Sequence, residues 1–264
     1  MKLGIIGLGN MGCAMLGGMI KNGAVKASEV LGAEPGDSRR NEVGKNLGIK
    51  TTASNKEAAE WADILVLSVK PQVYEAVIED IREHTKDTAV IVSIAPGKTL
   101  KWLSEHFGKE LKLVRCMPNT PALVLEGCTG VCRNGYVTDE EFESVLKLLN
   151  SFGKAIETEE KHMDAVVAVS GSSPAYVFIM IEAMADAAVA EGLPRAHAYE
   201  FAAQAVLGSA RMVLETGKHP AELKDMVCSP SGTTIDAVQV LERRGFRSAI
   251  IEAMRACAEK SSKL

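Results

Sequence analysis

A chain of 264 residues can hold one large domain or two smaller ones, and its 47% hydrophobic and 24% charged residues are those of an ordinary globular protein. A net charge of -4 without a basic stripe, and only 5% aromatic residues, argue against phosphate neutralisation and base stacking, so no nucleic-acid partner is expected. The six cysteines, at 13, 116, 128, 132, 228 and 257, make no CxxC and no zinc spacing; they read as reduced core residues of a cytoplasmic protein, and no metal is expected.

The first strand is read at Lys2–Ile6, followed by Gly7-Leu8-Gly9-Asn10-Met11-Gly12 and a helix from Asn10 to Asn22. This apolar opening resembles a secretory signal superficially. Glycines at fixed spacing crowd it, however, and no cleavage site follows, so it reads as mature protein. Strand, G-x-G-x-x-G turn and helix in that order form a dinucleotide fingerprint. The glycines permit a tight turn, close approach of backbone to a pyrophosphate and close helix–strand packing. Amides at the helix start, including those of Asn10 and Met11, would face the diphosphate. The competing reading is a glycine turn made for steric reasons alone.

The second strand, Val30–Ala33, ends at Glu34, where the adenosine ribose should lie. A carboxylate there can accept from both ribose hydroxyls of NAD and would repel a 2′-phosphate. Yet Ser38, Arg39 and Arg40 follow, and an arginine in this turn could hold that phosphate, or simply be the solvated start of a helix. The residues leave NAD and NADP both open.

Further strands are read at Ile64–Val69, Ala89–Ile94 and Lys112–Cys116, with helices at Arg39–Leu47, Lys56–Trp61 and Gln72–His84 between them. Near-continuous apolar runs such as Ile64-Leu65-Val66-Leu67 suit a parallel sheet buried on both faces, hence a doubly wound α/β domain. Ser68-Val69-Lys70-Pro71 lies at the carboxyl edge of that sheet, where ligands bind. Lys70 could donate to a ligand oxygen or stay solvated, and Pro71 fixes the turn. Cys116-Met117-Pro118-Asn119-Thr120-Pro121 forms a rigid polar loop at the same edge, suited to the nicotinamide end, with Pro118 and Asn119 as its candidates.

From about Lys161 no strand is read, so the chain divides into 1–160 and an all-helical 161–264. Helices are expected from Pro174 to Gly192, from Pro194 to Glu215, at Thr234–Arg244 and at Phe246–Lys260. The apolar stretch Pro174–Ala190 is interrupted by Glu182 and Asp186 and reads as a buried helix rather than a membrane span. Its Ala-rich part, Ala183–Ala190, is apolar on most faces and calls for packing between subunits, at least in a dimer.

Three segments resemble pyrroline-5-carboxylate reductases: Val114 to Val124 with Glu126-Gly127, Ser170-Gly171-Ser172-Ser173-Pro174-Ala175-Tyr176, and His219 through Cys228-Ser229-Pro230-Ser231-Gly232-Thr233-Thr234. The similarity runs over essentially the whole chain. It implies a Rossmann-type domain followed by an all-α domain that dimerises by interleaving helices, with the dimers often forming decamers. It also implies NADPH or NADH as cofactor and 1-pyrroline-5-carboxylate as substrate. By match to the family's loop, Ser229, Gly232, Thr233 and Thr234 line the substrate pocket, with Thr234 nearest the ring nitrogen, and Asn55 lies near the adenosine ribose. Ser173 and Ser231 each stand where the motif usually has glycine, and Ser231 is accordingly expected at negative φ.

The reaction so implied moves hydride to a C=N carbon, so the protein mainly aligns donor and acceptor and holds the carboxylate. Ser229 and Thr233 with nearby amides would bind that carboxylate, and Thr234 would hydrogen-bond the ring nitrogen; a plain helix N-cap is the alternative role for Thr233-Thr234. His219, before Pro220, reads as a helix-start residue. A 3-hydroxyacid dehydrogenase would carry a lysine in the long helix opening the second domain, but Ala175 to Glu182 has none.

Overall fold

The computed structural model describes residues 1–263. Contacts group them into two units, Met1–Ser172 with the chain from Cys257 onward, and Ser173–Ala256.

The first unit alternates β1 (Leu3–Ile6), α1 (Asn10–Lys21), β2 (Val30–Ala33), α2 (Asp37–Leu47), β3 (Lys50–Thr52), α3 (Asn55–Trp61), β4 (Ile64–Leu67), α4 (Tyr74–Ile81), β5 (Val90–Ser93), α5 (Leu100–Phe107) and β6 (Lys112–Met117). It closes with β7 (Gly127–Arg133), α6 (Asp139–Asn150), β8 (Gly153–Glu157) and the short α7 (Met163–Val166), which runs into a π-helical turn at Val167–Gly171. The eight strands pair in the order β3-β2-β1-β4-β5-β6-β7-β8. All neighbours are parallel except β6 and β7, which run antiparallel across a short connection. The doubly wound sheet expected from the apolar runs is present.

Alternate strand residues feed two separate cores, which is why these runs are apolar without a break. Leu3, Ile5, Ile64 and Val66 pack with Leu8, Met15, Leu148 and Phe152 on one face. Ile6, Leu65 and Leu67 pack with Tyr74, Ile78, Leu103 and Phe107 on the other. Each such side chain, fully buried, contributes about 1.5–3 kcal/mol. Tyr74 is wholly buried, and its hydroxyl donates to the Leu67 carbonyl at 2.5 Å and accepts from the Ile94 amide at 3.3 Å, tying the ends of β4 and β5 together. Burial pushes this phenol far above its ordinary pKa.

Six elements of the first unit, the short α7 among them, were not read from the sequence. β3 is short, polar and half-exposed at the sheet edge, and β8 occupies the other edge, so neither shows a buried run. Glycines at both Gly127 and Gly130 mask β7. For α6, the signal was there: Thr138 and Glu141 form a capping box. Thr99 likewise caps α5 by accepting from the Trp102 amide.

The second unit is all helical: α8 (Ser173–Ala190), α9 (Arg195–Thr216), α10 (Pro220–Val227), α11 (Thr233–Arg243) and α12 (Phe246–Ser261), the last turn of which belongs to the first unit. The expectation that Pro174–Ala190 is buried fails in the single chain, where Ala185 alone of α8 is buried and Phe178 and Ile179 are 62% and 65% exposed. These helices lack a second layer to cover them. Together α8, α11 and α12 leave an apolar groove of about 710 Å³, lined by Tyr176, Met180, Leu241, Phe246 and Ile250 among others. By length and composition alone, Glu160–Ala190 would suffice to cross a membrane.

Gly153 opens β8 at φ 153°, and a Cβ there would lie 2.0 Å from the Gly127 carbonyl oxygen. Gly153→Ala is therefore expected to cost more than about 2 kcal/mol in denaturant unfolding of the whole chain. An unchanged midpoint would show that the β7–β8 backbone yields freely.

Candidate functional site

The ends of β1, β2 and β4 enclose a cleft of about 380 Å³. Gly7, Gly9, Glu34, Asn55, Ser68, Val69, Lys70 and Val73 are among the residues that line it. The glycine turn fits only because it lacks side chains. Gly7 has φ 94°, and a Cβ on it would lie 2.6 Å from the Ser68 carbonyl oxygen, while one on Gly12 would lie 2.5 Å from the Gly7 carbonyl. At Gly9, by contrast, a Cβ would meet nothing within 4 Å, so this residue keeps space open rather than relieving a clash. No side chain caps the N-terminus of α1, whose first amides are left for a ligand. Ser68 Oγ is buried without a hydrogen-bond partner at the same point. This cradle fits a dinucleotide pyrophosphate.

Leu8 takes part through its backbone only, its side chain being fully buried in the core. Its amide donates to Glu34 Oε2 at 3.1 Å, and its carbonyl accepts from Arg39 Nε at 2.8 Å. Arg39 also binds Glu42 at 3.0 Å, a contact that raises its pKa, and approaches Cys13 Sγ at 3.4 Å. Desolvation raises the Cys13 thiol pKa despite that guanidinium. Asn55, the first residue of α3, donates to Asp80 Oδ2 at 3.3 Å.

The Pro118-Asn119 segment is buried and does not line this cleft. Asn119 Oδ1 accepts from the Cys128 amide at 2.8 Å and Nδ2 donates to the Ser170 carbonyl at 3.0 Å. Its amide thereby clasps the start of β7 to the π-helical turn.

In the second unit, Cys228 to Gly232 joins α10 to α11. His219 begins α10 as expected, its Nδ1 accepting from the Ala221 amide at 3.2 Å. The Gly232 amide donates to the Ser229 carbonyl at 3.1 Å, and a Cβ on Gly232 would lie 2.3 Å from Ser229 Oγ. Gly232 itself is the N-cap of α11, so Thr233 and Thr234 are its first two helical residues rather than caps, and no side chain caps this end. Ser229 and Thr233 are exposed and Thr234 is half-buried.

Residues 160–264 match the family profile described as pyrroline-5-carboxylate reductase dimerisation, and residues 2–97 match that of NADP oxidoreductases, coenzyme F420-dependent. A pyrroline-5-carboxylate reductase of Escherichia coli is 52% identical over 263 residues, spanning 100% of this chain and 98% of its own. That of Methanosarcina acetivorans is 39% identical, again over 100% of this chain and 97% of its own. Among solved structures, the Plasmodium falciparum pyrroline carboxylate reductase with NADP bound superposes with a TM-score of 0.91 at 35% identity, covering 99% of this chain and 97% of that one. The Coxiella burnetii pyrroline-5-carboxylate reductase gives 0.92 at 32%, with the same coverage. The chain belongs to the pyrroline-5-carboxylate reductase family.

Within this reductase family fold, a Rossmann-type sheet domain is followed by a helical dimerisation domain. Of the residues singled out from the sequence, Gly7, Gly9, Glu34, Asn55, Val69 and Lys70 meet at one cleft, with Asn10, Met11 and Gly12 in the first turn of α1 and Pro71 directly after Lys70. The sequence placed Ser68 in the strand-end turn but gave its side chain no part in the site; that signal comes only from its buried, unpartnered hydroxyl. The expectation for Ser231 is overturned: its φ is +57°, in the left-handed region. The turn closed by the Ser229–Gly232 hydrogen bond demands that conformation whatever side chain occupies the position.

Because Ser231 holds a conformation that glycine adopts without strain, Ser231→Gly is expected to raise stability by about 0.5–1 kcal/mol in denaturant unfolding. A loss of stability would mean that the serine side chain stabilises the turn more than its backbone strains it.

Proposed function

We propose that this chain reduces 1-pyrroline-5-carboxylate to L-proline, the last step of proline synthesis, with NADPH or NADH as the hydride donor. The observation that carries the reading is the side-chain-free cradle at Gly7, Gly9 and Gly12, in a chain similar along its whole length to reductases of that substrate. Residues 1–160 form the dinucleotide domain of this reading and 161–264 the substrate and dimerisation domain.

Backbone does most of the cofactor binding. Gly7, Leu8, Gly9, Asn10, Met11 and Gly12 hold the pyrophosphate, with the uncapped end of α1 supplying amides and a favourable dipole. Glu34 and Asn55 face the adenosine ribose, and Arg39 acts there by bracing the Leu8 carbonyl. Val69 and Lys70 line the cleft with Pro71 fixing the turn behind them, while Pro118 and Asn119 support the nicotinamide end, Asn119 through its clasp on Ser170.

When bound, the cofactor supplies hydride to the C=N carbon of the substrate. The protein has to orient the ring, hold its carboxylate and keep the ring nitrogen hydrogen-bonded as a proton settles there. The loop above α11 is suited to this. Ser229, Thr233 and the free amides after Gly232 bind the carboxylate at a helix N-terminus, and Thr234 Oγ1 meets the ring nitrogen. The uncovered apolar faces of α8, α11 and α12 are closed by a second copy in a homodimer, which assembles further into a decamer. On this reading the groove faces protein rather than lipid and there is no membrane partner; a net charge of -4 without a basic stripe offers nucleic acid no face, and cysteines that are all free suit a cytoplasmic enzyme.

Initial rates of NADH and NADPH oxidation with 1-pyrroline-5-carboxylate test the reading. Turnover with at least one cofactor is expected, and none from folded protein that still binds a cofactor would overturn it. Thr234→Ala is expected to lower kcat about 100-fold with cofactor binding intact, the lower end of what a positioned proton-transfer partner contributes. A fully active variant would remove Thr234 from the chemistry.

A further inference from the structure

The two arginines that could receive a 2′-phosphate are both committed elsewhere. Arg39 points its guanidinium at the Leu8 carbonyl, Glu42 and Cys13. Arg40 donates to the Glu34 carbonyl at 2.9 Å and is ion-paired with Asp37. Neither is among the residues lining the cleft. The group that does line it at the end of β2 is the Glu34 carboxylate, and that carboxylate is fixed. Its Oε2 accepts the Leu8 amide at 3.1 Å and its Oε1 the Gly36 amide at 3.2 Å. Among the described residues lining the cleft, the one cation is Lys70, after β4. With strands ordered β2-β1-β4, it starts two strand spacings, about 10 Å, from β2.

A phosphate placed against Glu34 would meet a like charge that cannot swing away without releasing the Leu8 amide, hence the glycine turn. A ribose with free hydroxyls would instead donate to carboxylate oxygens that still have unused lone pairs. We infer that Glu34 makes this chain discriminate against the 2′-phosphate, so that NADH rather than NADPH is its preferred cofactor. This rests on the reductase reading only for the identity of the substrate; the discrimination itself belongs to the nucleotide cleft. Glu34 acts twice, on the ribose directly and on the pyrophosphate turn through Leu8.

The test is binding as well as rate. For the full-length protein, dissociation constants are measured by calorimetry for NADH and NADPH, and for the fragments 5′-AMP and 2′,5′-ADP. These are set beside kcat/KM with each reduced cofactor. The unphosphorylated ligand of each pair is expected to bind at least about 10-fold more tightly, the scale of one uncompensated like-charge contact. Glu34→Gln keeps an oxygen to accept the Leu8 amide while removing the charge, and is expected to shrink that ratio by about 10-fold, chiefly by improving NADPH. Glu34→Ser, which loses the Leu8 contact too, is expected to weaken both cofactors while also shrinking the ratio. Equal or tighter binding of the phosphorylated ligands by the unmodified protein would overturn the inference, as would a ratio that Glu34→Gln leaves unchanged. Selective binding without any turnover of 1-pyrroline-5-carboxylate would instead sink the substrate assignment and leave the role of Glu34 standing.

Discussion

In a parallel sheet covered on both faces, polar groups can face a ligand only at the strand ends, and whatever approaches those ends must come through backbone. Here β1 ends against β4 so closely that Gly7 lies where any Cβ would strike the Ser68 carbonyl. That approach sets the direction in which the chain leaves the sheet and enters α1, and so where the uncapped amides point. It also puts Leu8 within reach of β2, where Glu34 takes its amide and Arg39 its carbonyl. The two consecutive peptide groups that flank the Leu8 Cα are thus held by opposite charges, one through its N–H and the other through its C=O. The shape of the glycine turn and the charge at the end of β2 are consequently not independent variables in this protein.

The helical unit is governed by the opposite condition, a surplus of apolar surface with nothing on it. Phe201 and Leu214 on α9 are 67% and 75% exposed, as much so as the side chains of α8. Burying a Phe or Leu side chain is worth about 1.5–3 kcal/mol, so leaving many of them in water would cost far more than a domain's net stability. Oligomerisation resolves this, and the matched dimerisation profile over residues 160–264 covers the same helices.

What could be read from the sequence follows from how each element is stabilised. β1, β2, β4, β5 and β6 are buried on both faces, so their composition announces them; β3 and β8 are edges, and β7 replaces side chains with glycine where Val166 packs onto Gly130. The glycine fingerprint, Glu34 and the Ser68–Pro71 turn were legible because strand ends are fixed by the strands themselves. Arg39 and Asn119 were legible as polar residues near a site, but not in what they touch. Arg39 gives its Nε to the Leu8 carbonyl and Asn119 its Nδ2 to the Ser170 carbonyl, and such pairings depend on tertiary approach.

Ser231 shows where an argument from residue type reverses. From the side chain alone, a serine in place of glycine implies a backbone that avoids positive φ. The loop works the other way: α10 ends at Val227 and α11 starts at Thr233, and the three residues between Cys228 and Gly232 must turn the chain from one helix into the next. The Gly232 amide closes the turn on the Ser229 carbonyl at 3.1 Å, which makes position 231 the third residue of the turn, and a side chain on Gly232 would strike Ser229 Oγ. The left-handed conformation falls on position 231 for that reason, and the serine bears it.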